Sequence, residues 1–289
     1  MNGYTLMHEH ITIDLSGVKK DTDCQLDCYA ETVAEFKKLY ERGVRRVVDV
    51  TNDGMGRNVP YVLNVEKETG IRIVQSTGFY KEPFLPQRVY GQTVQQMADW
   101  MIGEIRDGIE GTGVKAGMIG EIGTSKNTMT ETERKVFDAA VIAARETGMP
   151  IYTHTTLGTY APEQAAYFKE NGLDLSRIVL GHIDLSGDLD YIRRCLDYGI
   201  TIGFDTVGKN NYFPDPKRVE SLLALEAEGY MDQIVLSEDL TRKSHLEFKG
   251  GIGYSYLFDT FIPKAKAAGL KQESLDKMLI HNPARILGI

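Results

Sequence analysis

Histidines and carboxylates that could bind a metal ion stand out in this sequence, because most of them follow short apolar runs. Near the start of the chain, His8 and His10 close one such run. If that run is a β-strand, both imidazoles lie on the same face, since side chains alternate along a strand. Neutral imidazole is the commonest metal ligand in proteins. The pair by itself is weak support for a metal site, because two histidines at this spacing are about as often surface residues as they are metal ligands.

Four further residues of metal-ligating type occupy the same kind of position, at the end of an apolar run. They are Glu121, His154, His182 and Asp239. Each of them alone is readily explained as a satisfied core or loop residue. The six together are not, because scattered core residues have no reason to select one end of the strands. An unpaired carboxylate among apolar residues also carries a large desolvation cost, which a cation relieves. The sequence therefore predicts a metal site.

The number of ligands indicates which chemistry the site would perform. Six nitrogen and oxygen ligands are more than one catalytic zinc ion uses. They suit two divalent ions that share a bridging carboxylate and a bridging hydroxide, and such a pair can polarise a carbonyl or phosphoryl oxygen. We expect Zn²⁺, with Mn²⁺ or Co²⁺ as alternatives, because sites of this type accept several metals. The predicted reaction is a hydrolysis.

Strands and helices alternate along the whole chain and must position these residues. After the first strand, strands are predicted at residues 46–50, 71–76, 116–122, 150–153, 178–181, 200–205 and 233–237. Helices are predicted at residues 27–42, 58–69, 93–109, 131–147, from about 162, 188–198, 216–228, 254–268 and 272–280. Eight such units without a linker predict an α/β protein, a single (β/α)8 TIM barrel over residues 1–289. A doubly wound sheet is the alternative.

Two consequences of a barrel can be stated in advance. The carboxyl ends of its strands meet at one face, where the chemistry of such barrels is found, and the six ligands would all lie there. Almost nothing precedes the first strand, so the opposite end of the barrel must be closed by the C-terminal helix or by a partner subunit.

Composition narrows the function classes. The chain has 289 residues, of which 42% are hydrophobic and 26% charged, and its net charge of −8 gives no reason to bind nucleic acid or an anionic membrane. No apolar run is long enough to span a membrane, and no signal-peptide pattern is present. The three cysteines are an odd number, which argues against a disulfide framework, and the spacing of Cys24 and Cys28 is not that of a zinc-finger pair. We therefore expect a cytoplasmic protein with reduced thiols.

Three motifs resemble those of the phosphotriesterase family of the amidohydrolase superfamily, and in particular its phosphotriesterase homology protein branch. They are TLMHEH at residues 5–10, GHID at 181–184 and LSED at 236–239. The likeness runs from residue 3 to the NPAR sequence at 282–285, and it implies a metallo-dependent hydrolase barrel. It further implies that His8, His10 and Asp239 hold the more buried ion. His154 and His182 would hold the more exposed one.

The sequence departs from the phosphotriesterases proper at two places. Glu121 stands where they carry a carboxylated lysine that bridges the two ions, although a glutamate can also bridge. Leu185 replaces the carboxylate that shuttles protons in those enzymes, which leaves Asp184 nearby. The resemblance implies that Asp239 accepts the proton of the attacking hydroxide. The absence of the shuttle carboxylate at Leu185 argues against efficient organophosphate turnover.

Substrate residues are suggested by two loops. Tyr80 lies in a stretch similar to one in the family's lactonases, where a tyrosine approaches the metal-bound hydroxide; a barrel-rim aromatic is the alternative. Arg242 follows Asp239 by three residues, and the sugar-phosphate lactonases that resemble this chain bind the substrate phosphate with an arginine in this loop. Lys209 and His245 are possible helpers. A solvated basic loop is the alternative.

The sequence thus predicts a binuclear hydrolase whose bridging hydroxide attacks the carbonyl of a lactone or related ester, with a phosphorylated sugar lactone as one candidate. Hydrolysis of a phosphoester or phosphotriester at the same centre is the alternative, and a catalytically silent metal-binding barrel is the third reading. The resemblance also implies a homodimer. Nucleotide binding is not expected. Residues 203–210 nearly match the phosphate-binding P-loop motif, but they end in Asn210 where that motif has the Ser or Thr that holds magnesium.

Overall fold

Eight parallel strands follow one another in chain order around a nearly closed barrel in the computed structural model, which describes residues 3–289. The barrel strands are β1 (Tyr4–Glu9), β2 (Val44–Asp49), β3 (Arg72–Thr77), β4 (Met118–Thr124), β5 (Ile151–Thr155), β6 (Ile178–Leu180), β7 (Thr201–Phe204) and β8 (Ile234–Leu236). The predicted (β/α)8 class is confirmed, and the doubly wound alternative is wrong, because each strand pairs with its sequence neighbours.

A helix follows most strands and packs on the outside of the barrel. The main helices are α1 (Tyr29–Glu41), α2 (Val59–Thr69), α3 (Val94–Arg106), α4 (Glu131–Thr147), α5 (Ala161–Glu170), α6 (Leu189–Leu196), α7 (Asp215–Glu228), α8 (Ile262–Ala267), α9 (Gln272–Asp276) and α10 (Asn282–Leu287). Helix α4 has the predicted bounds, because the Thr130 hydroxyl accepts from the Glu133 amide and the Glu133 side chain reciprocates.

The structure adds elements that the sequence pattern did not predict. The loop after β1 contains a two-residue ladder between Ile13–Asp14 and Gln25–Leu26, with a short helix at Ser16–Lys19. Another short helix, Gln87–Gly91, follows β3. The two predicted C-terminal helices each include a π-helical segment, at Leu257–Phe261 and Lys277–His281. Elements of two to five residues are too short to show a hydrophobic period, so pattern analysis misses them.

The amino end of the barrel is closed by the C-terminal helix α10. Ile286 is fully buried in a cluster that fills the inside of the barrel, together with Met7, Val48, Val50, Met118, Tyr152, Val179 and Val235. The side-chain amide of Asn282 fixes the helix by donating to the carbonyls of Met231 and Ile234, each at 2.8 Å. Of the two predicted ways to close the barrel, the helix is the one that the structure uses.

Two further expectations concern the chain as a whole. In residues 3–289, no helix combines the length and the apolar character needed to cross a membrane. The three cysteines are free thiols, as predicted.

The packing of helix α10 at the amino end of the barrel should contribute measurably to the stability of the protein. Replacing Ile286→Ala removes fully buried methyl groups from the cluster inside the barrel and leaves a cavity, so we expect a loss of about 2–5 kcal/mol in the free energy of unfolding. Urea denaturation measures it. The matched control is Ile289→Ala, because Ile289 is 63% exposed and should change stability by less than about 0.5 kcal/mol. Equal effects of the two substitutions would contradict the assigned role of α10.

Candidate metal centre

The six predicted ligands converge at the carboxyl end of the barrel. They lie within β1, β4 and β5 or within three residues after β1, β6 and β8, and all are buried or nearly so: His8, His10, Glu121, His154, His182 and Asp239. The most exposed of these side chains, those of His154 and Asp239, are only 13% exposed. The structure therefore brings together every residue that the sequence analysis named as a ligand.

The carboxylate of Glu121 lies at the centre of this group. One oxygen, Oε1, is 3.4 Å from His10 Nε2. The other, Oε2, is 3.7 Å from His8 Nε2 and 3.1 Å from His154 Nδ1. It is also 3.5 Å from His182 Nε2. A single carboxylate thus faces imidazoles from both pairs, which is the arrangement expected of a bridging ligand.

Asp239 completes the group on the side of β1. Its Oδ1 is 3.6 Å from His8 Nε2 and 3.3 Å from His10 Nε2. Its other oxygen accepts from the ammonium of Lys209. Two sets of three residues bring one ligand atom each within 4.8 Å of one another, His8 with His10 and Asp239, and His8 with Glu121 and His182.

The hydrogen-bond inventory tests whether these residues fit metal ions. Both ring nitrogens of His8 and Nε2 of His10 are buried, and within residues 3–289 they have no hydrogen-bond partner. Leaving buried polar atoms without a partner is costly, and a coordinated cation removes that cost. Imidazole with carboxylate is also a donor set that Zn²⁺ and similar divalent ions accept. The residues fit the ions that the donor types imply.

The electrostatics of the site point the same way. Burial lowers the pKa of His10, but the contacts with Asp239 and Glu121 outweigh burial and raise it to about 9. Burial likewise lowers the pKa of His154, to about 4, because Glu121 compensates only in part. Glu121 and Asp239 therefore favour positive charge at His10, and Asp205 with Glu121 likewise outweighs burial and raises the pKa of His182 well above its usual range. His154 stays neutral, which is the form that can ligate a metal.

Positioning groups surround the ligands. Asp205 accepts from the His182 backbone amide at 2.8 Å and lies 2.9 Å from His182 Nδ1. Its second oxygen accepts from the Tyr152 hydroxyl at 2.7 Å. Thr51 Oγ1 is 2.8 Å from His10 Nδ1. Partners of this kind fix the ring orientation and tautomer of a ligating histidine.

Glu9 is a functional residue that the sequence analysis missed. Its carboxylate is fully buried and accepts from the amides of Glu238, at 2.7 Å, and Leu240, at 3.3 Å. These amides flank Asp239, whose backbone φ of +53° is rarely adopted by residues other than glycine. Glu9 thereby holds the β8 loop in the shape that aims Asp239 at the histidines. Its position between His8 and His10 was the one available signal.

A cavity of about 230 Å³ opens onto the centre, a volume suited to a small molecule. Tyr80 lines it, and its hydroxyl lies 3.1 Å from His154 Nδ1, as expected of a residue beside the reacting atoms. Lys209 and Leu185 also line it.

The other two predicted substrate residues lie elsewhere. Arg242 donates to Asp21 at 2.7 Å and pairs with Asp23 at 3.5 Å. With His245 it lines a neighbouring cleft, which shares Lys209 with the cavity. Arg242 therefore does not line the cavity at the metal centre, because the loop after β1 supplies two acidic partners that the sequence pattern did not reveal. Its role in binding a substrate phosphate stays a prediction.

A (β/α)8 barrel with imidazoles and carboxylates buried at the carboxyl ends of its strands is typical of metal-dependent hydrolases. Comparison with known families gives the more specific assignment. A sequence model of the phosphotriesterase family matches residues 1–287. The chain belongs to the phosphotriesterase family, whose members use a binuclear metal centre, and it is a metal-dependent hydrolase.

Individual relatives agree with this assignment. The chain is 48% identical over 283 residues to the phosphotriesterase homology protein of Escherichia coli (strain K12), covering 98% of this chain and 97% of the relative. The crystal structure of that protein with phosphate in its active site superposes with a TM-score of 0.97 over 99% of both chains. The aryldialkylphosphatase of Saccharolobus solfataricus is 32% identical over 296 residues, covering 98% and 94%. A lactonase structure from Listeria monocytogenes gives a TM-score of 0.93 at 30% identity, covering 99% and 94%.

The role of Asp205 can be tested through metal affinity. In Asp205→Asn, the amide is a weaker acceptor and presents an NH₂ group to one of its two partners, so His182 loses its fixed orientation. We expect zinc affinity to fall about 10- to 100-fold, measured by competition with a chromogenic chelator. The control is Asp190→Asn, whose side chain is 81% exposed and pairs with Arg193 at the surface. Unchanged zinc affinity in a folded Asp205→Asn protein would show that Asp205 does not position the ligand.

Proposed function

We propose that this chain hydrolyses a lactone or a related ester, with a phosphorylated sugar lactone as one candidate, at a centre of two divalent ions. Zn²⁺ is the first choice of metal. The observation that carries the proposal is the central position of the Glu121 carboxylate between the two histidine pairs. We also propose that residues 1–289 form one barrel domain and that the protein acts as a homodimer.

The proposed ligand assignment follows the two sides of the centre. His8, His10 and Asp239 would hold the more buried ion, because Asp239 lies within 3.6 Å of both imidazoles. His154 and His182 would hold the more exposed ion, since their facing nitrogens are 2.9 Å apart at the cavity side. Glu121 would then contact both ions.

Bound divalent ions supply a Lewis acid for the carbonyl and lower the pKa of water, so that hydroxide is available near neutral pH. The protein supplies the proton acceptor and the orientation. Asp239 is the acceptor, and Lys209 holds its second oxygen in place. The Tyr80 hydroxyl keeps its proton, because burial raises the pKa of Tyr80 well above its usual range, and it can therefore donate to a substrate carbonyl.

A carbonyl substrate suits the proton-transfer groups better than a phosphotriester does. Leu185 lines the cavity where the phosphotriesterases carry their shuttle carboxylate. The remaining candidate, Asp184, is engaged elsewhere: it accepts from Arg218 Nε at 2.6 Å and from the Thr206 hydroxyl. Both side chains of the Asp184–Arg218 pair are fully buried. Asp239 alone would have to serve, which favours esters over phosphotriesters.

Phosphoester hydrolysis remains the second candidate, because the same centre can polarise a phosphoryl oxygen and one relative is named an aryldialkylphosphatase. A panel of lactones, carboxylic esters, phosphomonoesters and phosphotriesters, assayed with protein of known metal content, separates the candidates. We expect lactones to be the best substrates. Turnover of phosphoesters alone would remove the lactonase proposal, and no turnover at all would favour a silent metal-binding barrel.

The proposed roles of the centre can be tested by metal analysis. Elemental analysis should find about two divalent ions per chain, and prolonged chelation should abolish hydrolysis. A content of one ion or none would reject the binuclear centre.

Asp239→Asn tests the proton acceptor. We expect this variant to retain metal but to lose at least ~100-fold in kcat, because general-base catalysis typically contributes that much. Metal content and kcat are measured on the same preparation. A metal-loaded variant with unchanged kcat would show that the proton goes to another group.

A further inference from the structure

Two lysines that the proposed mechanism does not use, Lys19 and Lys81, line the cavity beside the metal centre. We propose that they form a subsite for an anionic group of the substrate, a carboxylate or a phosphate, placed away from Arg242. This inference rests on the proposed function, because it names a class of ester or lactone that the centre would receive.

The charges around the cavity support an anionic substrate. Apart from the proposed ligands, its charged lining residues are Lys19, Lys81 and Lys209, all cationic, although the whole chain carries a net charge of −8. Lys209 is paired with Asp239. Within residues 3–289, neither of the other two lysines forms an ion pair. Two ammonium groups without an ion-pair partner among the described residues therefore line the space that the substrate enters.

The two lysines come from different loops and converge on one aromatic ring. Lys19 ends the short helix in the loop after β1, and Lys81 lies in the loop after β3. Their Nζ atoms are 5.9 and 5.7 Å from the centroid of the Phe84 ring. Lys81 Nζ donates to the carbonyl of Glu82 at 2.7 Å, so other ammonium protons remain for a ligand. The ring provides an apolar surface beside both cationic groups.

The acidic side chains nearest to Lys81 are engaged with other groups. Glu133 accepts from the Ser125 hydroxyl and from the Thr130 amide, and Glu82 accepts from the Thr130 hydroxyl. Burial lowers the pKa of Lys81, and the proximity of Lys19 lowers it further, against the opposing effect of Glu133 and Glu121. An anion bound between the lysines would relieve both the desolvation and the repulsion.

The position of Lys81 fixes where the anion would lie relative to the centre. A Cβ placed on Gly123 would be 3.2 Å from Lys81 Cβ and 3.0 Å from His154 Cβ, so the lysine stem runs beside this histidine. Tyr80, the preceding residue, contacts the same imidazole. The subsite therefore lies on the His154 side of the centre, whereas Lys209 and Asp239 occupy the other side. A substrate carbonyl between them would carry its anionic group toward Phe84.

Matched pairs of substrates test the subsite on the metal-loaded enzyme. The neutral members are 4-nitrophenyl acetate and γ-butyrolactone; the anionic members are mono-4-nitrophenyl glutarate and the carboxylate- and phosphomethyl-substituted butyrolactones. The variants are Lys19→Gln, Lys81→Gln and the double substitution. The control is Lys20→Gln, which removes an exposed lysine next in sequence that does not line the cavity.

We expect the wild type to prefer the anionic members. The double variant should lose about tenfold or more in kcat/KM on them, mainly through KM, because a charge-assisted hydrogen bond typically contributes this much. Neutral substrates should be unaffected, and Lys20→Gln should match the wild type. The carboxylate and phosphate arms show which anion the subsite takes. No preference for anions, or an equal loss on neutral substrates, would overturn the proposal.

A binding measurement separates failure of this proposal from failure of the proposed function. If no ester or lactone is hydrolysed, the proposed function fails, whereas titration calorimetry with glutarate and with inorganic phosphate still tests the lysines. We expect the wild type and Lys20→Gln to bind one of these anions at least about tenfold more tightly than the double variant does. Equal affinities in all three proteins would show that the lysines form no anion subsite.

Discussion

Two carboxylates, Glu121 and Asp239, are buried among four imidazoles at the mouth of the barrel, and this concentration of charge constrains the structure around it. Buried carboxylates are tolerated only where positive charge or hydrogen-bond donors compensate them. Here Lys209 and the histidines provide part of that compensation, and divalent ions would provide the rest. The groups behind the ligands, Asp205 among them, then restrict each ring to one orientation. The chemistry of the site is thus a direct result of how its charges are balanced.

The fold and the ligand positions could be predicted from the sequence because both rest on local patterns. Short apolar runs ending in His or a carboxylate identify the strands, and the carboxyl ends of parallel strands must meet. The surroundings of Arg242 could not be predicted in this way. Its partners Asp21 and Asp23 are more than 200 residues away in the chain, on a loop whose two-residue ladder leaves no periodic signal. Glu9 and Lys81 were missed for the same reason, since their roles depend on loop geometry.

The residues that would bind the metal ions and those that would select the substrate lie on different parts of the barrel. The ligands extend from strand ends, which the barrel holds rigidly. The groups that would meet the rest of the substrate lie on loops: Tyr80 and Lys81 after β3, and Lys19 after β1. Loop residues can change without disturbing the strands, which accounts for a family in which similar barrels carry the names of a lactonase and an aryldialkylphosphatase.

The contacts between the first and last strands have a consequence for folding. Within residues 3–289, no backbone ladder joins β1 to β8; the His8 amide donates instead to Ser237 Oγ, and Glu9 accepts from the amides beside Asp239. An ion held jointly by ligands from β1 and β8 would span the same seam. Metal occupancy and barrel closure would then be thermodynamically linked, so that the free energy of ion binding adds to that of folding. The bound ions would thus join β1 to β8 at the place where the backbone hydrogen bonds of the barrel are interrupted.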